Sequence, residues 1–365
     1  MRAIPAVVLV IRILFSALAG AQSSRIAPEQ KAQLGAAIAR FMAANSIPGV
    51  SVAVVENGEV AWAAGFGSAD LENSVPATAH TLYRLASISK PITATAALLL
   101  WQQGKLDLDA PVQKYCPAFP EKNTPITTRE LLGHIAGIRH YKSDSQDDPE
   151  SGNTRHFPNP IQAGLDFFKN DALVAKPGTE FHYSTQGYTV VGCAIEGASG
   201  EKYTDYVGKN VLTPAGMAHT VVDDRFAIIP FRARFYSKDK SGAITIADLL
   251  DSSYKIPGGG WLSSADDMGQ FEVAMLADRI VTRSTRNLMW TPLKPSDGKA
   301  DRYGLGWGTG KDLGVLDVGH SGSQQGTSTS FMIVPERRAG VVVLINLDGG
   351  NASDLATELM KIILK

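Results

Sequence analysis

The chain has 365 residues, 44% hydrophobic and 19% charged, with a formal net charge of −1. That is ample apolar material for a sizeable core in one large domain or two subdomains, and it excludes a disordered or fibrous chain. With no block of like charge there is no nucleic-acid footprint, and no nucleic-acid partner is expected.

The chain opens with MRAIPAVVLVIRILFSALAGAQSS, in which Arg2 precedes an apolar run broken by Arg12 and ending at Ala19-Gly20-Ala21, an Ala-x-Ala-like cleavage site. This reads as a signal peptide over residues 1–21, so the expected location is outside the cytoplasm, periplasmic or secreted. An uncleaved anchor and a mitochondrial presequence are the alternatives. No later segment reaches the ~18 uninterrupted apolar residues of a membrane span, so none is expected once the leader is removed.

A helix is predicted over roughly Pro28 to Asn45. Two strand-like runs follow around Asn57-Gly58, the strongest short hairpin signal. From Ser87 to about Asp278 the pattern is mostly helical, including a capped start at Ser263 or Ser264 with Asp266 or Asp267. Tyr141 to Pro160 is polar and turn-rich and reads as a long loop. Near the C-terminus, Thr327–Pro335 and Gly340–Leu347 flank a turn, and a helix closes the chain at about Ser353 to Leu364. Strands at both ends with helices between predict an α/β (α+β) fold. Its antiparallel sheet is built from both chain ends (about 22–86 and 300–365), flanked by helices, with a mostly helical subdomain (about 87–299) inserted within the 22–365 domain. The cleft between the two layers is the expected site.

Cys116 and Cys193 read as two buried thiols. Pairing is open to an exported protein, but two cysteines make neither a disulfide scaffold nor a zinc site.

Five Ser-x-x-Lys pairs occur, beginning at Ser87, Ser199, Ser237, Ser252 and Ser296. The last four lie among glycines, prolines or charges and read as solvated turns. Ser87 alone enters a long apolar helix, closed by Gly104. Pro91 lacks an N–H and fits the first turn, which puts the helix start near Ser87 and Lys90 one turn on, on the same face. A serine hydroxyl needs a base to become a nucleophile, and a lysine serves if burial lowers its pKa. The competing reading is a serine N-cap beside a solvated lysine.

Two further motifs follow in order: Tyr183-Ser184-Thr185 before an apolar helical run, and His320-Ser321-Gly322 before a strand. The set resembles the serine β-lactamase and penicillin-binding-protein superfamily. It is most similar to the branch of class C β-lactamases, D-Ala-D-Ala carboxypeptidases and carboxylesterases, and within it to the β-lactamase-like serine proteases of mitochondria. The resemblance implies a β-lactamase/transpeptidase-like fold, with Ser87 as nucleophile, Lys90 as its base and Tyr183 as the acid/base serving the leaving group. It puts His320 where related enzymes carry lysine, and the Ser87 and Ser323 amides in the oxyanion hole. Thr185, Ser321 and Gly322 would meet the substrate, with Thr185 standing where asparagine is usual. It also implies a peptide or small-molecule substrate and no cofactor or metal. Because histidine titrates near neutrality, His320 is expected to give activity an ionisation there.

His134 reads as structural, His140 as lining the loop, and the glycines of GLGWGTG as a strand with close backbone approach. The expected function is an acyl-enzyme hydrolase acting on peptide or amide bonds, with a β-lactamase or carboxylesterase as alternatives. The rival from another class is a penicillin-binding or self-assembling, filament-forming scaffold with little turnover.

Overall fold

The computed structural model describes residues 26–143, 148–297, 299 and 302–365. The leader lies outside the described residues. Helix α1 (Pro28–Asn45) leads into strands β1 (Gly49–Glu56) and β2 (Glu59–Asp70). Their turn places Asn57 (φ 55°) and Gly58 (φ 77°) in the left-handed region, the mirror-image turn that the Asn-Gly pair favours.

A short β3 (Val75–Pro76) edges β2, and the chain then leaves the sheet until β4 (Gly308–Gly310), β5 (Asp317–Gln324), β6 (Thr327–Val334) and β7 (Ala339–Ile345). The seven strands run in the order β3-β2-β1-β7-β6-β5-β4. The two chain ends meet at β1 and β7, which pair antiparallel from Val50 opposite Ile345 to Val55 opposite Gly340. Both strands are covered on both faces, which explains their near-continuous apolar runs. Val50, Val52 and Val54 pack with Leu34, Leu355 and Leu359 on one side, and Ala53 and Val55 join the larger core on the other.

The larger core contains the helical half. Helix α2 (Ser89–Gln102) is buried at every position from Ser89 to Leu100, and α3 (Thr185–Ser199) packs against it. The predicted capped start is found at Ser264, whose Oγ accepts from the Asp267 amide at 3.1 Å and opens α4 (Ala265–Leu276). The chain closes with α5 (Ala352–Ile363) against β6 and β7. No helix among the described residues is long and apolar enough to cross a membrane.

Three expectations change. Cys116 and Cys193 are not free thiols but a disulfide that ties the loop after α2 to α3. That loop lies so close that a Cβ on Gly197 would sit 1.7 Å from the Tyr115 carbonyl oxygen. Helix α2 begins at Ser89 rather than Ser87, because Ser87 lies in a 3₁₀ turn over Ala86–Ile88. The Tyr141–Pro160 stretch is irregular in its described residues, as predicted, but not merely solvated. Glu150, Ser151 and Asn153 are buried within it.

Candidate active site

Ser87 sits on a tightly held turn. Ala86 before it adopts φ 48°, a left-handed conformation costly for a residue with a Cβ. The sheet holds the turn from beneath, where the Thr329 hydroxyl donates to the Leu85 carbonyl at 3.0 Å. Gly322 on β5 passes so near that an added Cβ would lie 2.4 Å from the Leu85 oxygen and 3.1 Å from the Ala86 Cβ. A glycine there lets the strand reach the turn that carries Ser87. β4 pairs only with residues 317–319, so beyond Gly319 the outer edge of β5 has no partner strand.

Lys90 is wholly buried, with Nζ 3.0 Å from Ser87 Oγ, 3.1 Å from Thr185 Oγ1 and 2.9 Å from the Gly258 carbonyl oxygen. No carboxylate pairs with it among the described residues. Burial, and then the charge of Lys255, hold its pKa well below the ordinary lysine value. The neutral amine has two N–H donors and one lone pair. Gly258 O can only accept, Thr185 Oγ1 takes the second N–H, and the lone pair is left for the Ser87 O–H. Three contacts thus fit a base oriented at the nucleophile, and Thr185 keeps the contact with Lys90 although it is not asparagine.

The Tyr183 ring lies 4.7 Å from Lys90 Nζ, and its phenol interacts with Ser87. Burial raises its pKa, so it stays protonated and can act as an acid. Two histidines set this segment in place. His134 Nδ1 accepts from the Ser184 amide at 3.1 Å, and His140 Nδ1 accepts from the Thr185 amide at 3.2 Å. Both therefore take up amides at the start of α3, which otherwise lack partners. Burial keeps both neutral, with His140 pushed down to about 4. The structural reading of His134 is matched by this geometry.

His320 Nδ1 lies 2.5 Å from the Ser321 carbonyl oxygen and Nε2 lies 2.9 Å from the Tyr303 hydroxyl. The carbonyl only accepts, so Nδ1 carries the proton and Nε2 accepts from Tyr303. Desolvation in the cleft chiefly pushes this imidazole down to about 3, and Lys90 adds to it whenever it is protonated. The expected His320 ionisation near neutrality is therefore corrected: the ring is neutral across that range.

Two cavities meet at Ser87. One, of about 430 Å³, includes Ala86, Tyr141, Lys255, Gln324 and Asp348 in its lining. The other, of about 470 Å³, includes Tyr183, His320, Ser321 and Gly322. Ser87 and Ser323 border both, and Thr185 borders the first. The predicted site residues thus converge on one cleft. Sequence reasoning missed Lys255, because Ser252–Lys255 looked like a solvated turn. Ser252 and Lys255 are in fact 1% and 2% exposed. The run Pro257-Gly258-Gly259-Gly260 was the available signal: a Cβ on Gly258 would meet Thr185 Cγ2 at 2.7 Å, so small residues let this segment close on the site. Among the described residues no cluster of three or more His, Cys, Asp or Glu could hold a metal.

A buried lysine beside a serine at the head of an apolar helix is the arrangement the sequence motifs announced. Residues 34–362 match the beta-lactamase family. The chain belongs to that family. It is a serine hydrolase by that membership. It is 33% identical to the Homo sapiens serine beta-lactamase-like protein LACTB, mitochondrial, over 79% of this chain and 69% of that protein. Among solved structures it is similar to an octameric penicillin-binding protein homologue from Pyrococcus abyssi (TM-score 0.79, 29% identity, 92% of this chain and 77% of that one). A D-stereospecific amidohydrolase from Streptomyces sp. is also similar (TM-score 0.72, 26% identity, 91% of this chain and 98% of that one). The β-lactamase/transpeptidase-like fold expected for this chain is thereby established.

Proposed function

We propose that this family member hydrolyses peptide or amide bonds through an acyl-enzyme on Ser87. The observation that carries the reading is the buried Lys90 amine 3.0 Å from Ser87 Oγ with no carboxylate to hold a proton on it. Lys90 takes the Ser87 proton as Oγ attacks the substrate carbonyl carbon. The amides of Ser87 and Ser323, which border both cavities, are the proposed donors to the resulting oxyanion. Tyr183, kept protonated, gives its proton to the departing nitrogen as the carbon–nitrogen bond breaks, and the Lys90 ammonium returns one to the tyrosinate. A water then adds to the acyl-ester with Lys90 again as base, releasing the acid and restoring the Ser87 hydroxyl. His320, as a neutral ring, orients Tyr303 and the edge of β5 rather than supplying charge.

The similarity to a D-stereospecific amidohydrolase supports an amide substrate. β-Lactam and ester hydrolysis use the same nucleophile and remain the alternatives. The test is a time course of intact mass and product release with a peptide amide, a penicillin and a short-chain ester. Turnover of the amide with rapid loss of the acyl mass supports the reading. A penicillin adduct that decays faster than the amide is cleaved would make this a β-lactamase.

A second reading, self-assembly, has two observations in its favour: Phe226, Ile228 (99% exposed) and Phe231 are all exposed within one short stretch, and a similar structure is octameric. Sedimentation that shows only monomer at high concentration would remove it. We also infer export of the mature chain, which the disulfide supports because such bonds persist in oxidising compartments.

A further inference from the structure

The cavity on the Lys255 side of Ser87 is bordered by two residues whose side-chain hydrogen-bond donors have no partner among the described residues. Lys255 is 2% exposed, and its Nζ has no hydrogen-bond partner or carboxylate among the described residues. The rings of Tyr141 and Tyr254 lie near it, each with its centroid 5.5 Å away. Gln324 Nε2, on β5 in the same cavity, is buried and likewise unpartnered.

The neighbouring charges are already committed. Arg84 donates from Nε to Asp223 at 2.8 Å and from its two other nitrogens to the carbonyls of Gln325 and Leu250. Asp348 lines the cavity too, but one of its oxygens accepts from the Ser237 hydroxyl and the other from the Gly326 amide. His140 Nδ1 accepts from the Thr185 amide, and Lys90 is held by its three partners. A buried cation without a counterion is costly, and the chain pairs Arg84 in full while leaving Lys255 open to the cleft.

We propose that Lys255 and Gln324 form a subsite for a carboxylate on the acyl portion of the substrate. A carboxylate has two oxygens for the two idle donors, and its single charge matches the single unpaired cation. The side follows from the proton donor. Of the two cavities that meet at Ser87, Tyr183 and His320 border the second and not the first, so the leaving group departs there and the acyl group occupies the first. The inference rests on the acyl-enzyme reading for the side of the scissile bond and on the two idle donors for the charge. The lowering of the Lys255 pKa to about 7, caused chiefly by burial and next by Arg84, is consistent with a cation awaiting a partner.

The test compares mono-p-nitrophenyl glutarate with p-nitrophenyl 4-carbamoylbutanoate, which differ only in carboxylate against amide at the acyl end. At pH 6 the wild type is expected to favour the carboxylate in kcat/KM by at least about tenfold, one charged hydrogen bond's worth. Lys255→Met should bring the ratio near one. So should Gln324→Glu, which leaves the lysine in place but gives it an internal counterion. An unchanged ratio in both variants overturns the subsite, as does a wild-type ratio near one while both esters turn over, which would leave the acyl-enzyme reading standing. Calorimetry on Ser87→Ala with glutaramate and with glutaramide separates the two ideas. Selective binding of glutaramate that Lys255→Met abolishes supports the subsite even where neither ester is hydrolysed, an outcome that would instead reject the acyl-enzyme. Equal binding of the two ligands counts against it.

Discussion

Ser87–Lys90 and Ser252–Lys255 share a spacing, a cleft and a buried lysine, yet their surroundings differ. Lys90 is met by Ser87, Thr185 and Gly258 within 3.1 Å, whereas Lys255 Nζ has no hydrogen-bond partner among the described residues and sits beside the rings of Tyr141 and Tyr254. Ser252 Oγ is buried with no partner and has no bond to its lysine, since the 3₁₀ turn links the pair only from the Lys255 amide to the Ser252 carbonyl. The pairs therefore differ in the three hydrogen-bond partners around one nitrogen, two acceptors and the Ser87 hydroxyl. A base is made by neighbours that fix its lone pair on the nucleophile, and the same side chain without them becomes a charge seeking a ligand.

The comparison breaks most sharply by deletion. Ser87→Ala and Lys90→Met should each lower kcat/KM on a p-nitrophenyl ester by roughly 10³–10⁴-fold, while Ser252→Ala should change it by less than about threefold. Equal losses at the two serines would dissolve the distinction. Gly322→Ala comes next. Its methyl has no space against the Leu85 carbonyl, so β5 must retreat from the nucleophile turn, with a loss of about 10²-fold for an ångström-scale misplacement. Thr185→Val, which removes one of the three Lys90 contacts, should cost about tenfold or less.

The pH behaviour sharpens the same contrast. The Lys90 pKa is depressed, so kcat/KM should rise with pH through an ionisation well below 10.5. His320→Gln should leave the position of that limb where it is, since the ring is already neutral above pH 5. A limb that moves in this variant would return the titration to His320. For stability the sign follows from proton binding. Between about 7 and the ordinary lysine value, unfolded Lys255 holds a proton that the folded state lacks, so stability rises with pH across that window. Below it the cost of the buried charge is fully present. Lys255→Met should therefore stabilise the fold by a few kcal/mol at pH 6 and by less at pH 9, read from melting curves at the two values.

How much of this was legible depended on range. Helix α1, the Asn57-Gly58 hairpin and the Ser264 cap were readable because each is decided by a few adjacent residues. Ser87 was readable because its helix is apolar along its length. Lys255 was not, since its local sequence is that of a turn and its burial comes from packing against the Pro160–Asp166 helix and α3, far along the chain. The disulfide was missed for a like reason: Cys116 reaches Cys193 across 77 residues because Gly197 lets the Tyr115 backbone approach. The His320 titration depends chiefly on its burial and then on Lys90, which no spacing in the sequence places around it.

The central claim, that Ser87 and not Ser252 is the nucleophile, is tested most directly by mapping a fluorophosphonate adduct. Labelled protein would be digested and the modified serine located by tandem mass spectrometry, with Ser87→Ala as control. The account predicts one adduct, on Ser87, that disappears in the control and that a saturating peptide amide slows. An adduct on Ser252, or one that persists in Ser87→Ala, would contradict it.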